Sequence, residues 1–145
     1  MNEAALENAL KTAQALDFVQ QKEGGLDAPV KQGGKNFSGG QRQRLSIARA
    51  LVKEPQILIF DDSASALDYA TNAALQTALT ELPYHPTTFI ISQRTTSVMH
   101  ADKILVLDDG VCVGLGTHKD LLQNCPIYRE IHDSQFKREE VSVNG

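Results

Sequence analysis

Two short stretches carry residue types suited to phosphate chemistry. The first is Asn36-Phe37-Ser38-Gly39-Gly40-Gln41-Arg42-Gln43-Arg44-Leu45, where a serine and two glycines run straight into a helical pattern. Ser38 suits a helix N-cap, because its hydroxyl accepts an orphan amide hydrogen of the first turn. Gly39 and Gly40 lack a Cβ, so another group can come close to their backbone N–H groups. The helix behind them adds partial positive charge at that end. Together these features make an anion site of the kind that holds a phosphate.

The second stretch is Gln56-Ile57-Leu58-Ile59-Phe60-Asp61-Asp62-Ser63-Ala64-Ser65-Ala66-Leu67-Asp68. A continuous apolar run entering two acids predicts a strand buried on both faces, as in a parallel sheet. Acids at the carboxyl end of such a strand sit where open α/β sheets bind ligands. Asp61 suits Mg²⁺ held through water beside a nucleotide's phosphates. Asp62 stands where an attacking water could be oriented.

These residues resemble the ATP-binding cassette (ABC) family. Phe37-Ser38-Gly39-Gly40-Gln41 is similar to its signature motif, Ile57 to Asp61 to its Walker B strand, and Ser65-Ala66-Leu67-Asp68 to its D-loop. The resemblance covers nearly the whole chain. It is closest to heterodimeric multidrug-type exporters whose membrane and ATPase domains are fused. It implies an α/β fold, part of a P-loop NTPase domain with a helical subdomain over 1–53 and the C-terminal part of the ATPase core over 54–145. It also implies ATP and Mg²⁺ as cofactors, a second ABC subunit paired head to tail, and a membrane domain in the same polypeptide. In that pairing Ser38, Gly39, Gly40 and Gln41 contact a nucleotide held by the partner. Asp61 helps hold the metal of this chain's own nucleotide, and Asp68 lies at the dimer seam.

Two positions depart from the family pattern. Asp62 stands where a hydrolysing member usually has glutamate, and Gln93 where it usually has the switch histidine. Aspartate is one methylene shorter, and a misplacement of ~1 Å can cost on the order of 10²-fold in rate. Glutamine donates and accepts hydrogen bonds but does not titrate. Both changes point to a weak site of this chain's own and an intact signature serving the partner. The phosphate loop Gly-x-x-x-x-Gly-Lys-Ser/Thr occurs nowhere, and Gly33-Gly34-Lys35-Asn36 lacks its spacing and hydroxyl. The expectation is a C-terminal fragment of a longer exporter, inactive as an ATPase alone, with apolar sheet edges left uncovered. A non-hydrolysing regulatory partner and a soluble DNA-associated ABC ATPase are the alternative classes. The coiled coils and basic surfaces expected of the latter are not visible.

Composition agrees with a one-domain soluble piece. Of 145 residues 41% are hydrophobic and 22% charged. A formal net charge of -4 argues against non-specific nucleic-acid binding. No apolar run approaches the ~18–20 residues a bilayer needs, so the parent's place at the cytoplasmic face of a cell membrane follows from the resemblance alone. Cys112 and Cys125 form no Cys-x-x-Cys, which points to a reduced setting without zinc.

The elements that must position these residues can be read in order. Leu6, Ala9, Leu10, Ala13 and Leu16 predict one helix, capped by Asn2, in a region ending at Gly24-Gly25. Leu26 to Asn36 should be loop. Within it, Val30 to Gly34 is implied by the resemblance to face the membrane domain, with Gln32 where glutamate is frequent. Ser38 to about Lys53 should be helix, with Arg42, Arg44, Arg49 and Lys53 as a solvated basic face. Asp68 caps a helix to about Leu82. Thr87 to Ser92 reads as a second buried strand. Lys103 to Asp108 and Val111 to Gly116 form a hairpin through Asp109-Gly110. Thr117 and Asp120 form a capping box. Pro126 starts or interrupts a last helix running to about Arg138. His85, His100, His118 and His132 have no ligand-like spacing and should be exposed.

Overall fold

The computed structural model describes residues 2–62 and 66–143, with the backbone alone for 137–143. The chain divides into two compact units, Met1–Ile91 and Ser92–Gly145.

In the first unit, α1 (Glu3–Thr12) starts where the Asn2 carboxamide accepts the Ala4 N–H at 3.2 Å. The single predicted helix is broken at Gln14, whose φ is 58°. The Ala15 N–H donates to the Leu10 carbonyl at 2.7 Å, and the Gln14 N–H to that of Lys11 at 3.0 Å. This bond pair ends a helix through a left-handed residue, a place usually taken by glycine. The turn lets Ala13 and Ala15, both fully buried, reach the core before α2 (Leu16–Gln20) begins. The predicted loop contains two 3-10 turns, Gly25–Asp27 and Gln32–Gly34. Then come α3 (Gly39–Leu51), β1 (Ile57–Asp61), α4 (Tyr69–Thr80) and β2 (Thr87–Ile91).

β1 and β2 pair in parallel, from Ile57 beside Thr87 to Asp61 beside Ile91, with α4 as the crossover. Leu10, Ile47, Leu51, Leu58, Phe60 and Leu75 belong to one buried cluster. The expectation that both strands are covered on both faces is wrong. Leu58 and Phe60 are buried, but Ile59 is 67% and Phe89 55% exposed. Alternate residues of a strand point to opposite faces, and the described residues bury one face of this sheet.

In the second unit, the short α5 (Thr95–Val98) precedes β3 (Ile104–Asp108) and β4 (Val111–Gly116). The two strands pair antiparallel. Asp109 and Gly110 have φ of 48° and 76°, as the predicted type I′ turn requires. A bulge between Val106 and Leu107 shifts the register. Ile104 and Val106 pack with Leu121, Cys125 and Tyr128. A Cβ on Gly114 would lie 2.9 Å from the Cys125 sulfur and 3.0 Å from a Leu121 methyl, so a larger residue there would displace side chains at α6 (His118–Asn124). The Thr117–Asp120 capping box forms. Pro126 starts α7, which runs to Val143, beyond the predicted end. Among the described residues, no helix is long and apolar enough to cross a membrane.

Candidate functional site

The head of α3 is built by its own sequence. Ser38 is extended, and its hydroxyl accepts the Gln41 N–H at 3.2 Å. The Gln41 side chain reaches back to accept the Ser38 N–H at 3.0 Å. This reciprocal pair uses two donors. The Gly39 and Gly40 N–H groups open the helix, where no preceding turn can accept from them. Ser38 and Gly39 are exposed. A Cβ on Gly39 would meet nothing within 4 Å, whereas one on Gly40 would lie 3.1 Å from the Ala66 carbonyl oxygen. Thus one glycine faces open space and the other lies against the turn leading into α4.

Basic side chains hold the approach to this helix. Buried Phe37 meets Phe18 edge to face at 6.2 Å, with Lys22 over its ring at 4.6 Å. Lys22 also donates to the Asn36 carbonyl at 2.9 Å. Arg42 donates to the Phe37 carbonyl at 3.0 Å. Arg44 donates to the Gln14 carbonyl at 2.7 Å and lies 4.8 Å over the Phe18 ring. The predicted basic face of α3 is therefore not simply solvated. Two of its four cations tie loop carbonyls to the helix, and the Arg44 guanidinium does so while lying over the Phe18 ring.

Asp61 ends β1 and is exposed. Asp62 follows it, also exposed, with its N–H donating to the Ile91 carbonyl at 2.9 Å. Its φ is 47°, a left-handed value that short Asp tolerates better than most residues. Ser65 of the predicted D-loop lies outside the described residues, as do Ser63 and Ala64. Leu67 is buried, and Asp68 caps α4 by accepting the Thr71 N–H at 2.9 Å and the Thr71 hydroxyl at 2.7 Å. Those bonds hold the Asp68 carboxyl below the usual carboxylate range, the backbone one contributing most. Gln93 lies in the second unit, exposed, before α5. Its carbonyl accepts a hydrogen bond from the Gln135 side chain at 2.7 Å. So Ser38–Gln41 and the Ala66–Leu67 turn come together, and Asp61 and Asp62 share a strand end.

Sequence reasoning missed Gln135, Arg44 and Gln14, since each acts on a carbonyl or turn that no local pattern names. It also misplaced two histidines. His85 and His100 are exposed, but His118 and His132 are half-buried, with ring centroids 5.4 Å apart. The Nδ1 of His118 is 2.8 Å from the Tyr128 hydroxyl. Burial, and then His132 and His100, push the His118 pKa down.

Ligand chemistry fits these positions in part. Among the described residues no three His, Cys, Asp or Glu side chains cluster to cage a metal. Asp61 alone suits a Mg²⁺ whose other ligands are water and phosphate oxygens. The open helix head suits phosphate oxygens.

A family model for the ABC transporter matches residues 2–65, which include the α3 head and both acids. The chain also superimposes on a solved structure described as "Structure of a bacterial Atm1-family ABC exporter with ATP bound". The TM-score is 0.87 at 38% identity, over 92% of this chain and 24% of that one. In sequence and in fold the chain is similar to the ATP-binding part of ABC transporters. Its fold is the α/β ABC ATPase fold, present in part. Among relatives, the "Uncharacterized ABC transporter ATP-binding protein YfiB" of Bacillus subtilis (strain 168) is 48% identical over 132 residues, covering 91% of this chain and 23% of the relative. The "ATP-dependent lipid A-core flippase" of Escherichia coli (strain K12) is 44% identical over 131 residues, covering 90% and 22%. The chain thus spans under a quarter of the length of each of these relatives.

Proposed function

We propose that this chain is part of the ATP-binding and hydrolysing component of an ABC exporter, coupling ATP use to transport across a membrane. The observation that carries this reading is the open head of α3, where Ser38 and Gln41 cap each other and leave the Gly39 side bare. In this reading Ser38, Gly39, Gly40 and Gln41 bind the terminal phosphate of a nucleotide gripped by a second ABC subunit paired head to tail. Asp61 serves the Mg²⁺ of this chain's own nucleotide, and Asp68 lies at the seam between subunits. Residues 1–53 act as helical subdomain and 54–145 as part of the ATPase core. Val30, 68% exposed beside the Gln32–Gly34 turn, belongs to the segment facing the membrane domain. That domain would hold the ATPase at the cytoplasmic face of the membrane. The exposed apolar side chains Ile59, Phe89, Leu105 and Leu115 fit burial against other parts of a longer protein. Because Gly-x-x-x-x-Gly-Lys-Ser/Thr is missing from these 145 residues, they should not hydrolyse ATP alone.

The nucleotide chemistry needs little covalent help from the protein. Bound ATP supplies the phosphoryl group, and the chain's residues position and neutralise charge. Asp62 would orient the water, but its side chain is a methylene short. Gln93 can hydrogen-bond but cannot carry the charge of a protonated histidine. We therefore assign this chain to the subunit of a heterodimer whose own site is weak and whose signature completes the active one. The same two residues favour a second reading, a regulatory partner that binds nucleotide without hydrolysing it. Replacing Asp62→Glu and Gln93→His together, in the assembled transporter with its other site disabled, should raise turnover by about ten- to a hundredfold. Unchanged turnover would sink the weak-site assignment.

A further inference from the structure

The loop between β2 and α5 is tied to a helix far along the chain. α5 has only four residues, too few to be stable by its own hydrogen bonds. The Ser92 hydroxyl accepts the Arg94 N–H at 3.0 Å. Three further hydrogen bonds come from one side chain far along the chain. The Nε2 of Gln135, on α7, donates to the Gln93 carbonyl at 2.7 Å. Its Oε1 accepts the Thr95 N–H at 2.9 Å and the Thr95 hydroxyl at 3.0 Å. Thr95 is only 3% exposed, so its N–H and hydroxyl would be costly to leave unpaired. A carboxamide suits this place because it donates and accepts from one planar group. Leucine offers neither function, and asparagine is one methylene short.

Gln93 itself is exposed, and among the described residues its side chain makes no hydrogen bond. Its direction is then set by its backbone. We propose that Gln135 is a positioning residue for Gln93: its single amide clamps the backbone on both sides of Arg94 and so fixes where the Gln93 side chain starts. This rests on Gln93 being the switch position of the proposed ATPase. It assigns to α7 a task beyond packing, that of ordering the switch loop before nucleotide arrives.

The test is NMR and amide hydrogen exchange on the 145-residue protein, comparing Gln135→Leu and Gln135→Glu with the parent. Gln135→Leu should speed exchange at the Thr95 N–H about tenfold, the loss of one buried hydrogen bond. It should also drop the Gln93 N–H order parameter from about 0.85 to below about 0.6. Gln135→Glu keeps the acceptor for Thr95 and loses the donor to Gln93. Thr95 should stay protected in it while Gln93 loosens. A role confined to docking α7 on α5 would lower the melting temperature and leave Gln93 as ordered as before. That outcome, or unchanged Thr95 exchange in Gln135→Leu, overturns the proposal. Loosening as expected, together with no gain in turnover from Asp62→Glu and Gln93→His, would sink the weak-site assignment and leave the clamp standing.

Discussion

The two glycines at the head of α3 should respond oppositely to one added methyl group. Both occupy the first turn of a helix, where alanine is favoured over glycine by up to about 1 kcal/mol. At Gly39 the new Cβ would meet nothing within 4 Å, so that gain is unopposed. At Gly40 it would lie 3.1 Å from the Ala66 carbonyl oxygen, closer than a comfortable contact of about 3.5 Å. Overpacking of this kind costs about 1–3 kcal/mol. Gly39→Ala should therefore raise stability by about 0.5–1 kcal/mol, while Gly40→Ala is neutral or destabilised by up to about 2 kcal/mol. Urea unfolding midpoints measure the difference directly. Function should run the other way for Gly39. On the proposed reading its methyl group would stand in the phosphate's space, so hydrolysis at the partner's site should fall in a more stable protein. Ordinary destabilisation cannot produce that combination. Equal midpoints for the two variants would refute the contact of Gly40 with Ala66. Full hydrolysis by Gly39→Ala in the assembled transporter would refute the phosphate's approach.

Other substitutions probe the supports of the site. Gln14 holds a left-handed φ of 58°, so Gln14→Val should cost roughly 1–2 kcal/mol, and Gln14→Gly should be neutral or slightly stabilising, by thermal unfolding. The carboxyls of Asp68 and Asp120 both lie low, the first mainly through the Thr71 N–H and the second through the Thr117 hydroxyl. Their stabilising effect is complete above the unfolded value near about 3.9 and is lost as pH falls from there through the lower folded values. Replacing both with Asn should flatten that acid limb. Burial disfavours the charged form of His118, so stability should also decline as pH falls below about 6.5, and His118→Phe should remove that step.

What was legible in the sequence was what is built from neighbours. Ser38, Gly39, Gly40 and Gln41 specify the open helix head by themselves, because cap, cradle and reciprocal cap are contiguous. The Asp68 cap and the Thr117–Asp120 box were legible for the same reason. The hairpin at Asp109-Gly110 needed only two residues that accept positive φ. What was not legible depends on distant partners. An apolar run such as Ile57 to Phe60 reports a strand meant for burial, but not whether one face or two will be covered. The Gln135 clamp joins residues 42 positions apart, and no periodicity records it. The break at Gln14 follows from two backbone bonds and a buried Ala15, although glycine is the usual marker for such a turn.

Asp62 is where residue type and backbone must be weighed together. From sequence alone it is a carboxylate one methylene short of the usual glutamate. Its φ of 47° adds a second constraint, because a longer side chain in a left-handed residue costs about 1–2 kcal/mol where Asp is better tolerated. If Asp62 orients the water as proposed, Asp62→Glu would lengthen that reach and strain the strand end in the same step. The hydrogen bond from its N–H to the Ile91 carbonyl fixes that backbone to β2, so the strain cannot relax by moving residue 62 alone. The variant should then unfold at lower urea concentration than the parent even as turnover rises. Asp62→Asn provides the control: it keeps the left-handed backbone and removes the carboxylate, so it should hold stability while turnover at this chain's own site falls further. If Asp62→Glu is as stable as the parent, the short side chain is not explained by the backbone, and reach alone distinguishes the two acids.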